Sequence, residues 1–108
     1  MDYGNRADGT KKGTGFFGEI KRPDGSVMTE ISIGVGLNGK ETEIPLIVPT
    51  LTKREMDYLL KSDIESTQFM EQMPPSIIEK AVDHAASRMK LGKSPFADEN
   101  ESTAELPK

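Results

Sequence analysis

The sequence predicts an α+β fold: a three-stranded antiparallel meander followed by two helices packed on one face, with flexible N- and C-terminal arms. Three observations carry this expectation. A period-two alternation runs from Val27 to Leu37, turn signals flank it at Pro23-Asp24-Gly25 and Asn38-Gly39, and two later segments join helix caps to apolar residues at helical spacing.

Residues 1–14 place Arg6, Lys11 and Lys12 among glycines and one asparagine, with Tyr3 as their sizeable apolar side chain. They read as a flexible basic arm. From Phe16 to Thr50 the pattern is that of strands. Val27, Thr29, Ile31, Ile33, Val35 and Leu37 form one face and Met28, Glu30, Ser32, Gly34 and Gly36 the other. The first face is expected to meet a core and the second to meet water or a close backbone. With the two turns, residues 16–22, 27–37 and 40–48 are expected to form the meander. Pro45 and Pro49 lack amide donors and place the third strand at an edge, or end it early.

A helix is expected over 53–62. Thr52 and Glu55 have capping-box spacing, Leu51 and Met56 that of a hydrophobic staple, and Met56, Tyr58, Leu59 and Leu60 supply an apolar stripe. Residues 63–75 are expected to hold a short turn ahead of Pro74-Pro75. The last helix has a second capping-box pair, Ser76 and Glu79, then Ile77, Ile78, Ala81, Val82, Ala85 and Met89 at helical spacing and Gly92 as its terminator. One domain is therefore expected over 15–96, followed by an acidic, mobile tail over 97–108.

At 108 residues, 34% of them apolar, the chain suffices for one core. It has no cysteine, which excludes a disulfide framework, a thiol nucleophile and thiolate zinc sites. A formal charge of −4 argues against a wholesale nucleic-acid-binding surface, although a local basic arm is compatible with it. The segment Met1-Asp2-Tyr3-Gly4-Asn5-Arg6 has no signal-peptide core, and no run is apolar enough to span a bilayer, so synthesis in a cytoplasm is expected.

Gly13-Thr14-Gly15-Phe16-Phe17-Gly18 has the letters of a dinucleotide fingerprint without its context, since a polar arm precedes it and a turn follows. A flexible lead into the first strand is the expected reading. His84 is the single histidine, expected on a partly solvated helix surface. Glu41 and Glu43 flank a hairpin and Asp98, Glu99 and Glu101 lie in the tail, so no carboxylate pair suggests acid/base chemistry. Met56, Met70, Met73 and Met89 are read as core fillers ahead of an adaptable contact surface. No catalytic, cofactor or metal-ligating residue is expected. The candidates are partner-binding: Tyr3, Arg6, Lys11, Lys12, Arg22 and Phe96. Arg6, Lys12 and Arg22 are the expected anchors, whose loss should weaken binding without lowering the melting temperature. A protein surface is the expected target, ahead of a phosphate backbone.

Tyr3-Gly4-Asn5-Arg6, Asp8-Gly9-Thr10, Lys12-Gly13, Gly15-Phe16, Gly18, Lys21-Arg22-Pro23-Asp24-Gly25, Thr29-Glu30-Ile31-Ser32, Ile44-Pro45, Val48-Pro49-Thr50-Leu51-Thr52 and Gly92-Lys93-Ser94-Pro95-Phe96 resemble a small domain family of tailed phages and prophages. The resemblance covers about residues 3–97. That family occurs as short stand-alone proteins and as a segment of larger virion proteins. The resemblance implies a non-enzymatic virion structural or accessory protein, made in the host cytoplasm, at the head–tail junction, the tail or the ejection apparatus. Its partners would be other virion proteins, a symmetric ring being one arrangement. The alternatives are a small intracellular phage protein that binds and inhibits or redirects a host protein, and an accessory domain of a wall-degrading virion enzyme.

Overall fold

The first hairpin is set by its turn. Asp24 Oδ1 accepts from the Ser26 amide (2.9 Å) and hydroxyl (2.6 Å), and Gly25, at φ 90°, donates its amide to Arg22 O. In the computed structural model, which describes residues 3–6 and 8–107, this turn joins β1 (Ile20–Lys21) to β2 (Val27–Met28). The second hairpin joins β3 (Ser32–Leu37) to β4 (Lys40–Pro45) through Asn38 and Gly39, whose φ angles of 52° and 78° are those of a type I′ turn. Each hairpin is its own two-stranded antiparallel sheet.

The expected meander is thus replaced by two hairpins, because the strand foreseen over 27–37 breaks at its centre. Met28, Thr29, Glu30 and Ile31 are all buried. Four buried in succession do not fit the alternation of a strand with one wet face, and the ladder is interrupted between Met28 and Ser32. The inward phase also slips: Val27 is 49% exposed and Met28 is buried, the reverse of the expected alternation. From Ile31 onward the expected phase holds, with Gly34 and Gly36 outward.

Beyond Pro45 the chain leaves the ladder, and Leu46, Ile47 and Val48 are fully buried. The helix α1 (Lys53–Lys61) begins with the anticipated capping box, Thr52 N–H to Glu55 Oε1 at 2.8 Å and Glu55 N–H to Thr52 Oγ1 at 3.2 Å. Leu51 and Met56 are buried beside it. A short α2 (Gln68–Gln72) buries Phe69, which stacks on Tyr58 with ring centroids 6.0 Å apart.

The helix α3 (Pro75–Lys90) starts differently from expectation. Pro74 is the N-cap and Pro75 the first helical residue, where its missing amide costs nothing. The Ser76–Glu79 box does not form; the Ser76 hydroxyl donates instead to Glu55 Oε2 at 2.5 Å. At the other end Gly92 takes φ 79°, its amide reaches Met89 O, and the Lys93 amide reaches Arg88 O, a Schellman closure. The core runs through Ile44, Leu46, Val48, Leu59, Ile77, Ala81 and Ala85, all at 0% exposure.

The end segments lie on this body. The Ala104 amide donates to Phe16 O, and the Ser102 hydroxyl donates to Gly15 O while accepting from Thr14 Oγ1 at 2.6 Å. A 3₁₀ turn over Glu99–Glu101 brings Glu101 onto Arg88. Asn5 forms an antiparallel bridge with Lys11. No helix among the described residues is long and apolar enough to cross a membrane.

Candidate partner-binding surface

Arg6, expected as an anchor for a partner, is engaged internally. Its Nε and Nη2 donate to Glu30 Oε1 and Oε2 at 2.8 and 2.9 Å, and the guanidinium stands 3.8 Å over the Phe96 ring. The hydrogen bonds to Glu30 raise the Arg6 pKa above its already high ordinary value. Glu30 itself is 2% exposed and takes a third bond from the Gly13 amide at 3.0 Å. A buried carboxylate needs this much donation to remain charged without a large penalty.

The glycine-rich segment is therefore used by the chain itself. Gly13 supplies a donor to Glu30, and its carbonyl accepts from Thr29 Oγ1 at 2.6 Å. Gly15, at φ 71°, packs so closely that an added Cβ would sit 2.1 Å from Thr29 O. The fingerprint letters reflect a tight backbone crossing at the strand break.

Arg22 is also a fold residue. Its Nε and Nη2 donate to Leu60 O at 3.1 Å and Ser62 O at 2.6 Å, satisfying carbonyls at the C-terminus of α1 that lack helical partners. The Tyr3 hydroxyl donates to Glu19 Oε2 at 2.7 Å, an acceptor that raises the phenol's pKa. Phe96 is buried beneath Arg6. The structure brings Arg6 and Phe96 together and leaves Arg22 at the far end of α1.

Lys11 and Lys12 have a different setting. Lys11 is exposed, and Lys12 lines a groove with Asn5, Ile31, Ser32, Ile33, Ile64, Phe69 and Met70. The four methionines divide: Met56 and Met73 are core, whereas Met70 is 46% exposed on the groove wall and Met89 is exposed near the end of α3. By sequence all four methionines are expected in the core ahead of a contact surface, and Met70 departs from that. On a five-residue helix only one of two neighbours can face inward, and the larger ring does.

His84 meets Phe16 edge-on, with centroids 4.8 Å apart. Burial, then the charge of Arg88, lowers its pKa, with Glu101 opposing. Arg88 was not singled out by sequence, yet it donates to Glu101 twice at 2.8 Å and to Ser94 O and Phe96 O, gathering the residues after α3. Among the described residues no group of three or more His, Asp or Glu side chains is placed to hold a metal ion. No family model, curated protein or solved structure matches the chain.

Proposed function

We propose that the protein is a non-enzymatic structural or accessory component of a tailed-phage particle, acting through protein–protein assembly at the head–tail junction, the tail or the ejection apparatus. The observation that carries this reading is the groove beside β3. Its lining includes the apolar Ile31, Ile33, Ile64 and Phe69, an exposed, conformationally adaptable Met70, and Lys12. Such a surface suits a protein partner better than a phosphate backbone, which would need several cations along one track.

The resemblance supports the setting. Its quoted residues Arg6, Gly13 and Phe96 meet around Glu30, Gly15 makes the crossing, Gly25 the first turn and Arg22 the cap of α1, roles that a scaffold common to such a family would need. Of the groove residues, Asn5, Lys12, Ile31 and Ser32 belong to that string, and Ile33, Ile64, Phe69 and Met70 lie outside it.

Quantitative mass spectrometry of gradient-purified particles beside infected-cell lysate tests the reading. A fixed copy number per particle is expected. Abundance in the lysate with absence from particles would overturn it and turn the search to a host protein target.

A further inference from the structure

β3 is paired along one edge, and among the described residues Gly34 and Gly36 have no main-chain partner on the other. It pairs with β4 through Leu37↔Lys40, Gly36↔Glu41, Val35↔Thr42, Gly34↔Glu43 and Ile33↔Ile44. In an antiparallel ladder, opposed residues alternate between exchanging both hydrogen bonds and exchanging none. The two-residue turn makes Leu37 and Lys40 an exchanging pair, and the Leu46 amide on Ile31 O at 2.7 Å puts the other end in the same phase. Gly34 and Gly36 therefore aim their N–H and C=O groups away from β4. Among the described residues neither glycine has a partner on that side.

An unpaired edge is a template for another strand, and proteins ordinarily blunt it with lysine, proline or a bulge. Of the three residues that face this edge, Gly34 and Gly36 are glycines and Ser32 is already engaged. The missing glycine side chains also leave a trough on the exposed face, and the carboxylates of β4 lean over it. A Cβ on Gly34 would lie 2.9 Å from Glu41 Oε1 and 3.6 Å from Glu43 Oε2. Glu43 Oε1 is buried without a hydrogen-bond partner, and the nearby Arg6 is committed to Glu30.

We infer that the outer edge of β3 at Gly34 and Gly36 receives an extended strand of a partner protein that carries Lys or Arg at alternate positions. Main-chain bonds to the two glycines supply the pairing. A residue opposite Gly34 on the added strand shares the face of Glu41 and Glu43, two strand spacings or roughly 9–10 Å away. With no side chain on the glycine between them, a long cationic side chain crosses the trough and meets both carboxylates. A second copy of this chain fits less well, since β3-to-β3 pairing would place the glutamates of both copies on one face. The inference rests on the assembly reading and specifies the chemistry of the partner.

The test uses the ¹⁵N-labelled full chain with two synthetic peptides, acetyl-KVKVKVK-amide and acetyl-EVEVEVE-amide, and follows exchange of individual amide hydrogens. The basic peptide is expected to slow exchange at Gly34 and Gly36 by at least about tenfold, and the acidic one to leave it unchanged. The double variant Glu41→Lys, Glu43→Lys is expected to reverse that preference. Basic-peptide binding that leaves both glycine amides unprotected would overturn the inference, as would failure of the basic peptide to bind. Particles that contain the protein while neither peptide protects these amides refute the edge alone. Particles that lack the protein while the basic peptide protects them refute the virion reading alone.

Discussion

Arg6 and Glu30 close on each other through two parallel bonds of 2.8 and 2.9 Å, with Phe96 stacked against the guanidinium. This one contact joins the segment before β1, the break between β2 and β3, and the chain after α3. It also explains why the strand breaks, since Glu30 can be buried only where Arg6 and the Gly13 amide converge on it.

Arg6→Ala is consequently expected to destabilise the fold, reversing the unchanged melting temperature anticipated for a partner anchor. Removing one member of a buried pair costs about 3–5 kcal/mol. Urea unfolding measures it directly. A midpoint equal to that of the unsubstituted protein would mean that Glu30 does not depend on Arg6.

Gly15→Ala and Gly36→Ala are expected to behave oppositely. At Gly15 both the positive φ and a Cβ position 2.1 Å from Thr29 O oppose a side chain, and a loss of at least about 2 kcal/mol is expected. At Gly36 nothing lies within 4 Å of the added Cβ, and the change should stay within about 0.5 kcal/mol. Equal melting temperatures for the two variants would contradict the crossing at Gly15.

Arg22→Met keeps the aliphatic stem and removes the two donors to Leu60 O and Ser62 O. Charged hydrogen bonds of this kind contribute about 1.5–3 kcal/mol each when both partners are shielded, and a total near the lower figure is expected at this half-buried site. The expected signature in hydrogen exchange is faster opening of the last turn of α1 with α3 unaffected.

Acid should weaken the fold in two stages. His84 has a folded pKa below its ordinary 6.5, so protons favour the unfolded chain, and stability falls as pH drops from about 6.5 toward the folded value. Burial opposes the charge of Glu55, but bonds from Lys80, Ser76 and Thr52 outweigh it and bring the pKa to about 2. Glu101 is held at about 2, chiefly by Arg88. Stability from these carboxylates is complete above their ordinary 4.5 and is lost as pH falls through about 2. Thermal unfolding against pH should show His84→Phe flattening the first stage and Glu55→Gln the second. A variant whose profile parallels that of the parent would contradict its assignment.

What was legible in the sequence was local chemistry. Thr52 with Glu55, Asn38 with Gly39, and Gly92 each determine a cap or turn within a few residues, and the structure has all three. The failures involve distant partners. Alternation over 27–37 carried no sign that Glu30 would be buried by residues 17 and 24 positions away. Ser76 had capping-box spacing, but Pro74-Pro75 had already started the helix and Glu55, 21 residues earlier, took its hydroxyl. The acidic composition after Phe96 suggested solvation, whereas Arg88 binds Glu101 and draws the segment in. For the site, Lys12 was found by charge, but the groove's Ile64 and Met70 come together with it only in the fold.

The most direct test of the central claim, that this groove attaches the protein to a particle, is the copy number per particle for the parent and for the double variant Lys12→Ala, Met70→Ser. A symmetric number is expected for the parent, about 6 or 12, and severe loss for the variant with its melting temperature preserved. Parent protein absent from particles, or variant retained at full copy number, would contradict it.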